Sequence, residues 1–184
     1  CPVEGGRIEL TKTALSAYWH TYWKFTAPLN DPTELVKLAP GHIAVNHDKA
    51  RSLGLEVDEV IASLKAFFEA RPGIKQAWTQ DEIMRGKSDM AALYRNSYVP
   101  HKSGDLLMQM HETCLAWYDA GTSHGSPYKY DRDIPLVFYG AGITPGSSKA
   151  PAHSTDLAPT LAKLLGLRTP DNLDGRSLSL TPDN

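Results

Sequence analysis

The segment from Gly121 to Tyr128 reads GTSHGSPY and combines a serine and a histidine with turn-forming residues. It follows the apolar run TCLAWYD, so it lies where a strand would end. Sites in α/β proteins are built at strand ends, and flanking glycines let other groups approach a backbone closely. His124 is therefore the first candidate for chemistry, as a loop histidine able to bind a metal ion.

The same segment also fits G-x-S-x-G, with Ser123 as the nucleophile of a serine esterase. Asp133 and His153 follow in the chain order of that triad. The motif needs a helix directly after the serine, because the helix aims the hydroxyl and supplies an oxyanion donor. Pro127 and the residues PYKYD do not start such a helix. The esterase is kept as an alternative hypothesis.

Two other motif-like segments predict no site. HETC at His111 begins like a zincin helix, but Leu115 stands where the second histidine is required. YGAGITPG places Gly140, Gly142 and Gly146 without the spacing or the following helix of a dinucleotide loop. We interpret His111 as a strand-end residue and the glycines as a turn that leaves a buried strand.

The elements up to residue 85 predict a small subdomain. Apolar residues recur at helical spacing in ELTKTALSAYWHTYW and in EVDEVIASLKAFFEARPG. Extended runs on both sides of Pro40-Gly41 predict a hairpin, and IKQAWT predicts a strand. Thr79 and Glu82 form a capping box for a short helix. This order suits an antiparallel sheet with helices on one face.

From residue 86 the pattern predicts strands of a larger sheet. Leu106–Met110 and Cys114–Tyr118 are short apolar runs. IPLVFYG is continuously apolar, as expected for a strand buried on both faces. STDLAPTLAKLLGL predicts the last helix, whose buried stripe would consist of Leu157, Leu161, Leu164 and Leu165.

Composition excludes several classes of protein. The 184 residues are 41% apolar and 22% charged, as in globular domains, and the net charge of −2 favours neither nucleic acid nor an anionic membrane. No run approaches the ~20 apolar residues of a membrane span. The opening CPVEGGRIEL has neither a signal-peptide pattern nor an initiator methionine, so we expect a longer product. Cys1 and Cys114 could pair, Cys1 could pair elsewhere, or Cys114 could be a buried strand cysteine.

Several motifs in a fixed order carry a resemblance that no single motif supports. They are SGD before a strand, GTSHGSPY, IPLVFYGAGITPG, DLAPTLAKLLG and LDGRSL. Together they resemble the C-terminal part of alkaline phosphatase superfamily hydrolases. The most similar branch is the single-chain, zinc-dependent phosphatases related to nucleotide pyrophosphatase/phosphodiesterases. The resemblance is good over residues 95–178 and looser before them.

The resemblance implies an α/β fold, namely the C-terminal part of the three-layer α/β/α phosphatase core. That part would occupy residues 86–184, beside a small α+β, cap-like subdomain at residues 1–85. It implies that His124 binds one of two zinc ions, while the nucleophile and the other ligands lie outside this chain. The chain would then contain no catalytic residue and be inactive alone. Asp131 would orient the His124 loop.

The same resemblance implies partners and a location. The full-length enzyme would hydrolyse small phosphate esters, and the missing N-terminal part of the same protein would be the partner of this chain. A periplasmic or secreted location is expected for such an enzyme. A non-catalytic binding module, which keeps the fold without the catalytic half, is the other alternative.

Overall fold

The computed structural model describes residues 1–3, 6–32, 34–117 and 120–181. They divide into two compact units, unit 1 up to Arg132 and unit 2 from Asp133. The strands are β1 Arg7–Glu9, β2 Val36–Ala39, β3 His42–Val45, β4 Ile74–Thr79, β5 Leu106–Met110 and β6 Leu115–Trp117. The α-helices are α1 Leu10–Thr21, α2 His47–Ser52, α3 Val57–Glu69, α4 Gln80–Arg85, α5 Asp89–Ser97, α6 Lys129–Arg132 and α7 Leu157–Leu164.

Unit 1 is built on a four-stranded antiparallel sheet with the order β2-β3-β5-β4. The predicted hairpin is confirmed as β2 and β3, which turn at Pro40-Gly41. Because β5 pairs with both β3 and β4, this sheet continues past residue 85. The predicted domain boundary between residues 85 and 86 stays a prediction.

Helix α1 confirms the first predicted helix and has an acidic cap. The Glu9 carboxylate accepts hydrogen bonds from the amides of Thr11 and Lys12 at 2.8 and 3.0 Å. These amides have no partner within the helix, so the side chain satisfies them. The helix continues as a π-helical segment, Tyr22–Thr26, and a 3-10 turn, Ala27–Leu29, which the sequence pattern did not predict.

Helix α3 supplies most of the helical side of the core. Its apolar stripe is confirmed, since Val60, Leu64 and Phe68 are fully buried against the sheet. Strand β5 is buried on alternate sides: Leu106 joins this cluster, while Leu107 joins a second one under α4 and α5. The prediction of helices on one face only is therefore wrong, because β5 is covered on both.

The SGD motif has a structural role at the start of β5. Gly104 lies so close to the backbone of Ile43 that an added Cβ would sit 2.5 Å from its carbonyl oxygen. Asp105 then accepts hydrogen bonds from the Val45 amide and the His47 imidazole, each at 2.6 Å. The motif thus fixes β5 against the end of β3.

A second, two-stranded sheet joins the two ends of unit 1. Strand β1 pairs in parallel with β6, with Arg7 opposite Leu115. Cys1 and Cys114 form a disulfide bond, which resolves the alternatives that the sequence left open. Strand β6 is described over Leu115–Trp117 and begins one residue later than predicted; Tyr118 lies outside the described residues.

Unit 2 is organised around the buried Asp156. Its carboxylate accepts hydrogen bonds from the amides of His153 and Arg176 at 2.9 and 2.8 Å. The hydroxyl of Thr160 donates to the Asp156 carbonyl and accepts from the Leu178 amide. Gly175 of the LDGRSL motif lies against the Thr155 carbonyl, where a Cβ would clash.

Two predictions for unit 2 are wrong in this chain. IPLVFYG forms no strand, and Val137 and Tyr139 are 79% and 101% exposed. Helix α7 is confirmed, but the leucines of its predicted buried stripe are exposed at 41–69%. The physical reason is shared: a strand needs a neighbour to pair with and an apolar helix face needs a surface to cover it. No described helix is long and apolar enough to cross a membrane.

Candidate functional site

The His124 loop connects β6 to the short helix α6. Gly121 and Gly125 adopt φ of 92° and 96°, values that favour glycine, and let the loop turn on either side of the histidine. The backbone of Tyr128 accepts hydrogen bonds from the amides of Asp131 and Arg132, which closes α6. The loop is therefore anchored at both ends while its middle, including His124, is exposed.

Asp131 holds this loop from behind. Its carboxylate accepts a hydrogen bond from the Ser126 amide at 2.5 Å. That bond is the main reason why the pKa of Asp131 is lowered, with the Gly125 amide and the neighbouring His124 adding to it. Asp131 thus fixes the backbone of the loop that carries His124. The carboxylates that orient metal-binding histidines directly accept a hydrogen bond from the imidazole itself.

Two tyrosines that the sequence did not single out fix the loop to unit 1. The Tyr128 hydroxyl donates to the Met110 carbonyl at 2.7 Å and accepts from the side-chain amide of Gln109 at 3.3 Å. The Tyr130 hydroxyl accepts from the Thr113 amide, and its ring stacks on Tyr128. A tyrosine pairs an apolar ring with a polar tip, so its presence beside a glycine-rich loop is the signal that could have indicated an anchor.

The residues that the structure describes do not form a complete metal site. Among the described residues no group of three or more His, Cys, Asp or Glu side chains could hold a metal ion. Catalytic zinc takes about three protein ligands. His124 alone therefore does not form a catalytic zinc site.

A cavity of about 830 Å³ within unit 1 opens beside the His124 loop. Residues 122–127 form one side of it, and α5, β5 and β6 contribute the others. The apolar members of its lining include Leu93, Tyr94, Met108, Met110 and Leu115. No sequence pattern indicates this cavity, because its walls come from segments that are distant in the chain.

The geometry around Ser123 does not favour a serine esterase. The residues after Ser123 form an irregular loop, and no helix begins before Lys129. The Ser123 hydroxyl donates to the neighbouring His124 carbonyl at 3.4 Å. A nucleophile elbow requires a helix immediately after the serine, so its main structural feature is missing here.

Two of the other histidines of unit 1 have structural contacts. His47 hydrogen-bonds the Asp105 carboxylate, and His20 hydrogen-bonds the Ser63 hydroxyl at 2.9 Å and packs against the Phe67 ring. His111 lies just past the end of β5, as predicted. His42 borders the cavity at its strand end.

Comparison with known proteins identifies relatives over part of their length. The chain is 32% identical over 128 residues to alkaline phosphatase PafA of Elizabethkingia meningoseptica, covering 68% of this chain and 23% of that protein. It is 31% identical over 148 residues to a protein of Myroides odoratus named calcium-transporting ATPase, covering 75% and 26%. Alkaline phosphatase PhoK of a Sphingomonas species is 29% identical, covering 62% and 23%. No protein-family model matches the chain.

The fold of the chain also resembles that of a solved structure. A crystal structure of a PafA mutant superposes with a TM-score of 0.75 at 24% identity, covering 90% of this chain and 31% of PafA. This chain belongs to the alkaline phosphatase superfamily. Its mixed α/β fold matches that of PafA over most of its length, and it spans about a quarter of the relatives that it resembles.

Proposed function

We propose that this chain is the C-terminal part of a zinc-dependent phosphate-ester hydrolase of the alkaline phosphatase type. The observation that carries the proposal is the exposed His124 beside a cavity, on a loop held from behind by Asp131. His124 would contribute one neutral imidazole nitrogen to a zinc ion. When bound, two zinc ions would stabilise the attacking and leaving oxygens of phosphoryl transfer.

The chain alone is inactive in this proposal, and its partner is the remainder of the same polypeptide. The exposed apolar segment Ile134–Tyr139 and the exposed leucines of α7 support this view. A segment suited to a buried sheet strand remains an unpaired apolar run when the neighbouring strands are not present. The chain covers 23% of PafA and 26% of the Myroides odoratus protein, which leaves enough length for those neighbours.

A periplasmic or secreted location belongs to the same proposal. The disulfide between Cys1 and Cys114 supports it, because such bonds persist mainly in oxidising compartments. Trapping free thiols in cells with a maleimide reagent, before lysis, tests the point. The proposed location requires both cysteines to be unreactive in the native protein.

The proposal is tested first by size and then by metal and activity. An antibody to this chain should detect a product well above 20.2 kDa in the source cells. That product, once purified, should contain zinc and hydrolyse 4-nitrophenyl phosphate. A phosphate diester and a nucleotide pyrophosphate in the same assay would assign its branch of the superfamily.

Substitution of His124 tests the role of the residue. We expect His124→Ala in the long product to lower zinc content and to reduce turnover more than about 100-fold, since even residues behind a metal ligand contribute 10–100-fold. The matched control is His101→Asn, another exposed loop histidine, because asparagine tolerates its φ of 62°. Equal activity in the two variants would contradict the assignment of His124.

A further inference from the structure

The cavity beside the His124 loop indicates which esters the site accepts. We propose that it binds the organic group of the phosphate ester and that this group is apolar or aromatic. The inference rests on the proposed function, since it requires the reacting phosphate to lie at His124. The volume of about 830 Å³ is in the usual range of small-molecule pockets.

Part of the apolar wall belongs to the core clusters, through Met108, Met110 and Tyr94, and part of it does not. Leu93, Leu115 and Ala116 are half-buried, and none of them belongs to either buried cluster of unit 1. Apolar surface of this kind gains stability when a ligand removes it from water, by about 25 cal/mol per Å². The wall therefore favours hydrocarbon over polar ligand groups.

The Tyr94 hydroxyl, one of the polar groups in the same wall, is already engaged. It donates to the Met108 carbonyl at 3.2 Å. Burial raises the pKa of Tyr94, so its phenol stays neutral. A sugar hydroxyl placed against Tyr94 would meet a partner that is already bonded, and unpaired polar groups cost free energy.

The position of the loop supplies the orientation. Residues 122–127 line the cavity, so the exposed imidazole and the apolar walls border the same space. An ester whose phosphate lies at His124 would direct its organic group between α5 and β6. An aryl ester such as 1-naphthyl phosphate fits this division, whereas glycerol 3-phosphate lacks an apolar group.

Binding to the chain itself tests the inference without any activity. In a ¹⁵N NMR titration, 1-naphthol should shift the amide signals of Leu93, Tyr94 and Leu115 in a saturable way. Trp19 and Trp23 on the N-terminal helical segment, 45% and 67% exposed, report non-specific adsorption and should not shift. Glycerol 3-phosphate should leave the cavity signals unchanged. Shifts confined to the two tryptophans would overturn the proposal.

A variant pair sharpens the test. Leu93→Gln should weaken 1-naphthol binding about fivefold or more, because it replaces apolar wall by an amide. Leu15→Gln removes a leucine that is 57% exposed on α1 and should leave the affinity unchanged. Equal losses in both variants would contradict a specific site, and circular dichroism spectra of each verify that it is folded.

Failure of the inference and failure of the proposed function are distinguishable. If the long product hydrolyses glycerol 3-phosphate as efficiently as 1-naphthyl phosphate, the function stands and the substrate class is wrong. If the chain binds 1-naphthol at the cavity but the long product hydrolyses no phosphate ester, the proposed function is wrong, and the substrate assignment is overturned with it.

Discussion

Two aspartates determine local backbone structure in the two units. Asp131 accepts the Ser126 amide beside the candidate site, and Asp156 accepts the amides of His153 and Arg176 in unit 2. In both cases backbone amides are the largest cause of a lowered pKa. A carboxylate that accepts several amides stays ionised, so both act as fixed negative anchors.

Replacing Asp131 should release the His124 loop without unfolding unit 1. We expect Asp131→Ala to accelerate hydrogen exchange at the Ser126 amide, because that amide loses its acceptor. Exchange at β5 should stay slow, since that strand is held by two neighbours. Asp133→Ala, which removes an exposed carboxylate two residues away, is the matched control. Unchanged exchange at Ser126 in Asp131→Ala would show that the loop has other support.

At the residue scale the sequence predicts only some of the contacts that hold the His124 loop. The role of Asp131 behind the loop follows from the resemblance, and the structure places its carboxylate against the loop amides. The anchoring tyrosines, Tyr128 and Tyr130, were not predicted. Their partners, Met110 and Thr113, are 18 and 17 residues away, and a hydrogen bond at that separation leaves no local pattern.

The elements of unit 1 are largely predictable because their signals are local. The capping box of α4 is present as predicted, with the Glu82 side chain accepting from the Thr79 amide and hydroxyl. The hairpin β2–β3 follows from its Pro-Gly turn. Helix α5 was not predicted, since only Ala91 of its residues is buried and its apolar stripe is weak.

The elements of unit 2 show the limit of such prediction. IPLVFYG and the leucines of α7 have the apolar pattern of a buried strand and a packed helix, yet they are exposed in this chain. A hydrophobic pattern describes the environment for which a segment is suited. Whether that environment exists depends on other segments of the polypeptide, and the pattern of the segment itself carries no information about them.

The contact between α1 and α3 should respond to acid through His20. Burial, followed by the positive charges of Lys24 and Arg71, lowers the pKa of His20 below the ordinary histidine value of about 6.5. The unfolded chain therefore takes up the proton first as the pH falls. The free energy of unfolding should decrease as the pH drops below about 6.5, until folded His20 is protonated as well.

Urea unfolding at about pH 7.5 and pH 5 measures this effect. The loss of stability on acidification should be smaller in His20→Gln, which cannot be protonated in this range. His101→Asn removes an exposed histidine outside the contact between α1 and α3 and serves as the control. If the two variants lost stability to the same extent as the parent chain, His20 would not be the group responsible.

At the scale of the whole molecule the disulfide links two distant parts of unit 1 covalently. It joins residues separated by 113 positions, and the parallel pair β1–β6 lies directly beside it. Cross-linking restricts the unfolded chain, and for loops of this length the stabilisation is typically about 2–5 kcal/mol.

Reduction should therefore lower the free energy of unfolding by about 2–5 kcal/mol. Urea unfolding with and without a phosphine reductant gives the value. The double variant Cys1→Ala/Cys114→Ala should be as unstable as the reduced protein and insensitive to reductant. A parent chain whose unfolding midpoint does not move on reduction would show that β1 is held by its other contacts alone.

The pairing of β1 with β6 also sets an order on biosynthesis. Within unit 1 a ribosome releases Cys114 113 residues after Cys1, so β6 is not available to β1 while most of unit 1 is being translated. The antiparallel hairpin β2–β3 can form from adjacent residues long before. During that interval the open edge of β1 and the Cys1 thiol are available to wrong partners. The first residues of unit 1 are thus the last to be fixed, and an assisting chaperone or thiol oxidant would act there.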